Sequence, residues 1–284
     1  MGFKFSAQAR DPGSSTLPGW LAFLWPWAYR GLIWQFARRE IVGRYRGSWL
    51  GAVWTVAQPL GMLAIYTVVF RNVFQVRWPG TGEPGNLDFA LNLFAGMLVF
   101  QWASELWARA PRLILEQPNL VTKVVFPLPV LAWSALVAAS LQLAVSVVIW
   151  LLACMWAGRE PSLHWAGSVP ALLCLVPWLL GLSWALCSLG VYLRDLQQAT
   201  GLVLSGLIFL SPVFYPASAL PDWLRPVGTL NPLTAPIEGL RALVLEAAPP
   251  DWSAMLWTGA SGLAVCALSL ALFKRIRHGF ADVL

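Results

Sequence analysis

Charge is scarce in these 284 residues: only 11% are Asp, Glu, Lys or Arg. A typical soluble domain carries about 25%, so little of the chain is left for a large soluble domain. Lysine occurs at Lys4, Lys123 and Lys274 alone, and never after a glycine. The phosphate-cradling pattern G-x-x-x-x-G-K-[ST] is absent, so the chain has no P-loop for nucleotide phosphates. If ATP drives this protein, a second polypeptide must supply the ATPase and hold ATP and Mg. No cofactor is expected in the chain itself. The only histidines, His164 and His278, lie far apart, and a zinc site needs about four ligands, so no metal site is expected. Cys154, Cys174, Cys187 and Cys266 show no C-x-x-C spacing and sit in or beside apolar runs, as small buried residues do. Acid, base and nucleophile do not cluster, which lowers the case for a membrane hydrolase or transferase. The first 26 residues hold Pro12, Pro18 and Pro26 and no sustained apolar stretch. They read as a cytoplasmic arm rather than a secretory signal.

What the chain has instead is grease. Hydrophobic residues make up 58%, with mean hydropathy +0.65. Apolar runs of membrane-crossing length recur, and in a bilayer only helices or closed barrels satisfy the backbone. The runs predict an all-α membrane protein with six spans, at about 49–70, 89–108, 128–155, 169–193, 199–215 and 254–273. The membrane-spanning body is thus 49–273, followed by a cytoplasmic tail, 274–284. Residues 71–88 read as a loop, rich in Pro and Gly. The stretch 216–253 contains seven prolines and the short apolar run Ile237–Leu245. That run is too short to span and suits a helix that enters the membrane and returns. With the N-terminus inside, 14 of the 19 Lys and Arg fall in inner segments. This bias places both termini in the cytoplasm. The net charge of +6 flanks apolar runs and forms no solvated basic face, which argues against nucleic acid as a partner.

Residues 27–48 suggest an amphipathic helix lying in the cytoplasmic interface. Leu32, Ile33 and Phe36 share one face, with Gln35, Arg38 and Arg39 turned away. Trp34, Ile41 and Tyr45 make a second stripe, while Glu40 and Arg44 interrupt the first. Two stripes suit a helix touching both lipid and protein. Pro59 cannot donate to the Thr55 carbonyl, so a kink is expected in the first span. Gln58 sits at the same level, with Trp54 and Ile65 near one face. Helix packing or a polar, aromatic path wall both account for this. Glu105 is the one acid well inside a predicted span, and Arg109 lies four residues on, on the same face. A structural pair or a coupling contact is favoured there over a proton relay. The 18 tryptophans mostly sit near span ends, as interfacial belts do. Trp54 and Trp102 lie deeper, where indole faces could stack on sugar rings.

Several segments together resemble a known family. The run Arg44-Tyr45-Arg46-Gly47-Ser48-Trp49-Leu50-Gly51, then Trp54, Gln58-Pro59-Leu60 and Tyr66-Thr67-Val68-Val69-Phe70, is similar to the start of bacterial ATP-binding-cassette type-2 permeases that export polysaccharide. The nearest group is the O-antigen (lipopolysaccharide) exporter permeases, with teichoic-acid exporters close by. Asn119-Leu120-Val121-Thr122-Lys123-Val124-Val125-Phe126-Pro127 looks like the family segment between the second and third spans. Tyr192-Leu193-Arg194-Asp195-Leu196 looks like its YRD turn. Ser211-Pro212-Val213-Phe214-Tyr215-Pro216, Leu230-Asn231-Pro232-Leu233 and Ile237-Glu238-Gly239-Leu240-Arg241 look like its late motifs. One departure is that Leu128 and Pro129 follow the Phe-Pro, where relatives carry charges.

The resemblance implies a homodimer bound to two ATPase subunits, in the bacterial inner membrane, moving an undecaprenyl-pyrophosphate-linked glycan. It implies a cytoplasmic coupling region over 109–126, which with Glu105 gives Glu105, Arg109, Glu116, Asn119, Lys123 and Phe126 as ATPase contacts. It also implies that 216–248 form short helices closing the outer mouth. On that view Arg38, Arg39, Arg44 and Arg46 stand where the pyrophosphate would lie, since guanidinium binds phosphate oxygens through paired bonds. Anchoring to anionic lipid explains the same residues. Trp54, Gln58, Tyr66, Trp102, Ser211 and Tyr215 are the corresponding path-wall candidates. Three rivals are the same permease class with teichoic acid, capsule or a small hydrophobic cargo, an ion-coupled transporter relying on Glu105, and a glycan-modifying enzyme.

Overall fold

The computed structural model describes residues 24, 26–45, 51–69, 86–122 and 126–283. The first helix, α1 (Arg30–Tyr45), follows a single 3-10 turn at Trp27–Tyr29. The next, α2 (Trp54–Val68), is preceded by another short turn, Gly51–Val53. Then come α3 (Asn86–Arg109), the short α4 (Pro118–Thr122) and α5 (Val130–Trp156). After α6 (Ser168–Leu173) and α7 (Val176–Gly190) comes α8 (Leu196–Leu210). Two short helices, α9 (Arg225–Leu230) and α10 (Thr234–Leu240), lead into a π-turn, Arg241–Leu245. The long α11 (Trp252–Ile276) and the terminal α12 (Phe280–Val283) complete the chain. Among the described residues there is no strand.

Among the described residues, four segments are long and apolar enough to cross a bilayer: Leu87–Arg112, Val130–Trp156, Leu163–Gly190 and Trp252–Gly279. They match the second, third, fourth and sixth expected spans with ends differing by up to about six residues, and they make this a multi-pass membrane protein. The fifth expected span is shorter in the structure, and the first is described over 51–69 only. The helix α8 has 15 residues, or about 22 Å at 1.5 Å per residue, short of a hydrocarbon core of about 30 Å. The residues flanking α2, 46–50 and 70–85, lie outside the described residues. So do almost all of the expected arm and of the 71–88 loop, Arg46 and Lys123. The early end of α8 has a local cause. Pro212 disfavours helical geometry in the residue before it, and Ser211 is extended at φ −93°, ψ 147°. Proline likewise divides the fourth span, because Pro177 has no N–H to continue the ladder out of α6.

At mean hydropathy 1.2, the α3 segment is the least apolar of the four, yet it is the most enclosed. Every residue from Phe89 to Phe100 is buried. A helix surrounded by protein has no need of a lipid-facing surface, and α3 packs against α2, α5, α7, α8 and α10. By contrast α5, at 2.3, leaves Leu141, Val148 and Leu152 exposed. Buried tryptophans pin the bundle through their N–H groups. Trp150 donates to the Leu91 carbonyl at 3.0 Å, and Trp184 to that of Pro129 at 3.0 Å. The most extensive pairing joins α7 to α11, where Trp178 donates to Ser261 Oγ at 3.1 Å and Cys266 Sγ to the Pro177 carbonyl at 2.9 Å.

Candidate functional site

Two helices with the same charge spacing face each other. On α1, Glu40 and Arg44 lie four residues apart and share a face, as do Glu105 and Arg109 on α3. Set antiparallel, the two faces are complementary. Arg44 Nη2 meets Glu105 Oε1 at 2.5 Å and Glu40 Oε1 at 3.6 Å, and Arg109 donates to Glu40. The expected pairing of Glu105 with Arg109 is therefore replaced by pairing across helices, which ties α1 to the bundle rather than α3 to itself. It also explains why Glu40 and Arg44 interrupt the apolar stripe of α1. Burial pushes the Glu40 carboxyl above its ordinary range, while Arg109 and Arg44 pull it back. The rest of α1 follows its sequence pattern. Ile33 and Ala37 are buried, Gln35, Arg38 and Arg39 face outward, and Trp34 is exposed.

This ion lattice forms one end of a cleft of about 980 Å³ between α1, α2, α3, α5 and α8. Gln58, Gln101 and Gln142 bring side-chain amides from three helices, and Ser104 and Ser146 add hydroxyls. Met62, Leu98, Leu143 and Leu204 supply apolar wall, with Trp102 between them. The Trp102 indole is held by its N–H to Ser140 Oγ at 3.2 Å. Five expected site residues, Arg44, Gln58, Trp102, Glu105 and Arg109, thus meet in one cavity.

Gln142 has a second task. Its amide donates to the Thr55 carbonyl at 3.0 Å, the acceptor left without a partner by Pro59. Gln142→Leu should lower stability by about 1 kcal/mol, the scale of an interhelical hydrogen bond in a membrane protein. Adding Pro59→Ala should recover that loss, because residue 59 then carries its own N–H to Thr55. Melting of the four proteins in detergent checks this, and no recovery in the double variant would refute it.

The remaining expected residues are dispersed. Trp54 is half exposed on α2, one turn before Gln58, and Tyr66 is half-buried toward the other end of that helix. Arg39 lies over the Phe36 ring at 4.9 Å, and Phe36 meets Phe126 at 5.4 Å between centroids. Glu116 is exposed in the turn after α3 and borders a smaller cleft of about 170 Å³ with Arg39 and Arg109. Asn119 is exposed on α4. Ser211 and Tyr215 do not reach the large cleft. Ser211 is fully buried and accepts from Asn231 Nδ2 at 2.8 Å, and the Tyr215 hydroxyl donates to the Phe209 carbonyl at 2.6 Å.

The segment that holds them, 211–215, borders a second polar centre at the opposite end of α3, built on Arg241. Its guanidinium is 1% exposed. It donates to the carbonyls of Asn92 at 3.1 Å, Val213 at 2.9 Å and Tyr215 at 3.4 Å, and to Glu238 Oε1 at 3.0 Å. Glu238 also accepts from the Ala217 N–H at 3.1 Å. One buried cation thus joins α3, the turn after α8 and the π-turn. Sequence reasoning noted Glu40 and Arg241 without making them site residues, and passed over Gln101 and Gln142. A cation inside the apolar run Ile237–Leu245 was the available signal, since such residues are costly unless they have a task.

The family profile described as ABC-2 type transporter matches residues 31–245. An O-antigen export system permease protein RfbA from Myxococcus xanthus is 28% identical over 256 residues, covering 89% of this chain and 95% of the relative. Two proteins of the same name from Klebsiella pneumoniae are each 23% identical over 248 residues, covering 87% of this chain and 92% of the relative.

Proposed function

The chain belongs to the ABC-2 type transporter family, and on that footing we propose that it is the permease subunit of an ATP-driven exporter of lipid-linked O-antigen. The names of its relatives, O-antigen export system permeases, support the cargo. In this reading the subunit works as a homodimer with two ATPase subunits that bind ATP and Mg. It sits in the bacterial inner membrane with six spans and cytoplasmic termini. The cargo is a glycan on undecaprenyl pyrophosphate. ATP-driven closure of the partners pushes on the turn and α4 between Ala110 and Thr122 and opens a path between the two copies, with α2 and α8 as its walls. The short helices α9 and α10 dip into the membrane from outside and close the outer mouth.

One observation carries the proposal: the cleft of about 980 Å³ that joins a row of amides and an indole to a paired-arginine end. A polymer of hydroxyls needs hydrogen-bonding partners and flat apolar faces. Its diphosphate needs cations, and guanidinium meets phosphate oxygens through two parallel bonds. Removing the gene should strand undecaprenyl-linked glycan on the cytoplasmic face without halting its synthesis. Normal surface O-antigen after removal would refute the reading, and loss of a different surface polymer would reassign the cargo.

A further inference from the structure

We propose that Glu40 and Glu105 are built-in stand-ins for a lipid-linked diphosphate, which binds by taking Arg44 and Arg109 from them and so releases α1 from α3. The inference rests on the reading above for the source of the diphosphate, and otherwise on geometry. Glu40 Oε1 lies within reach of both guanidiniums, so two arginines from different helices converge on one anionic oxygen. Glu105 supplies a second such oxygen to Arg44. Two guanidiniums holding two carboxylates is the arrangement a diphosphate would meet, with each carboxylate standing for one phosphate group.

The site is not closed off, because all four residues line the large cleft. The side chains of Arg44, Glu105 and Arg109 retain exposures of 30%, 26% and 38%, so an incoming ligand can reach them. A diphosphate joined to lipid and glycan carries one negative charge on each phosphate, as the two carboxylates do together, and its oxygens meet the guanidinium fork in the same paired geometry, so it can take their place. The exchange has a mechanical result. Arg44 and Glu40 belong to α1, while Glu105 and Arg109 belong to α3. The main packing of α1 is on α5, the cross-helix pairs join its later half to α3, and a ligand that occupies both arginines removes those pairs. Glu40 then turns toward the smaller cleft it shares with Arg39 and Glu116. Substrate arrival at the lipid-facing helix is thereby transmitted to α3, whose last turn runs into the segment proposed to meet the ATPase. Arg38, which faces outward, is left to bilayer phosphates.

The test uses the permease with its ATPase in nanodiscs of zwitterionic lipid, and radiolabelled farnesyl diphosphate as the probe. Glu40→Gln with Glu105→Gln should tighten binding by about tenfold, within the usual range of a coupling between two linked events. Arg44→Gln and Arg109→Gln should each weaken it by a similar factor. Farnesyl monophosphate and phosphatidylglycerol should compete poorly. If the glutamine variants bind no more tightly than wild type, the carboxylates are only structural and the proposal is overturned. It is equally overturned if phosphatidylglycerol competes as well as the diphosphate, which would make the site one for bulk lipid. Where a variant does not fold, wild type alone decides. Farnesyl diphosphate should speed amide exchange across Arg30–Tyr45, and unchanged or slower exchange contradicts the release of α1. None of these measurements involves glycan export, so the export reading stands or falls separately on the gene-removal experiment.

Discussion

Arg241→Met is expected to cost about 3–5 kcal/mol of stability, as loss of one partner from a buried ionic network does. Methionine fills much of the volume but donates nothing. The carbonyls of Asn92, Val213 and Tyr215 would lose a donor, and burial makes each such loss expensive. Glu238 would keep only the Ala217 N–H among its recorded partners, though its partial exposure lets water soften that change. Arg241→Lys separates charge from shape. It keeps the cation but cannot span acceptors on three segments, so its stability should fall between wild type and Met. Gly96 belongs to the same device. A Cβ there would sit 2.9 Å from Val213 Cα and 3.0 Å from Arg241 Nη2, so only glycine lets the turn after α8 approach α3 closely enough for the guanidinium to bridge them. Thermal melting of the purified subunit orders the three proteins. A Met variant that melts with wild type would show that the network adds nothing.

The bundle was largely legible, and the site partly so, for different physical reasons. Runs such as 128–155 announce a span because lipid imposes one requirement on every residue. Positions of α3, α5 and α11 accordingly agree with hydropathy to within a few residues. Breaks caused by proline were harder to place. The chemistry of Pro177 and Pro212 is plain, but whether a span ends there depends on what surrounds it. The ion lattice was half visible. Glu105 and Arg109 stood out by spacing, and Glu40 and Arg44 as flaws in an apolar stripe. That the two flaws answer each other is a fact of antiparallel docking, which no single helix pattern contains. Gln142 shows the same limit. Its partner is a backbone carbonyl on another helix, so the sequence held both the orphan at Thr55 and the donor without joining them. Ser211 and Tyr215 were grouped with the cleft because their segment is polar and aromatic. Ser211 instead holds Asn231, and the Tyr215 carbonyl accepts from Arg241, at the far end of the same central helix.

Gly190→Val is expected to disconnect the two ends of this machinery by an entirely local clash. A Cβ at residue 190 would lie 2.2 Å from the Pro111 carbonyl oxygen, 2.8 Å from its Cα and 2.9 Å from its carbonyl carbon. All three are backbone atoms, so no side-chain rotation relieves the contact. Either α7 or the turn Ala110–Arg112 must move. The turn follows directly on Arg109 and leads to Glu116 and α4, the segment proposed to receive the ATPase stroke. Overpacking of this kind typically costs about 1–3 kcal/mol and occasionally more. Valine should exceed alanine, because its methyls extend the intrusion. Gly31→Ala is the control, since a Cβ there meets nothing within 4 Å and alanine is the better helix former. The functional consequence should be larger than the thermal one. With the turn displaced, the reconstituted complex should still hydrolyse ATP but lose surface export of glycan and any response of hydrolysis to lipid-linked substrate. Substrate-stimulated hydrolysis and export at wild-type levels in Gly190→Val would mean that the contact between α7 and Pro111 transmits nothing, and that coupling runs through another part of the subunit.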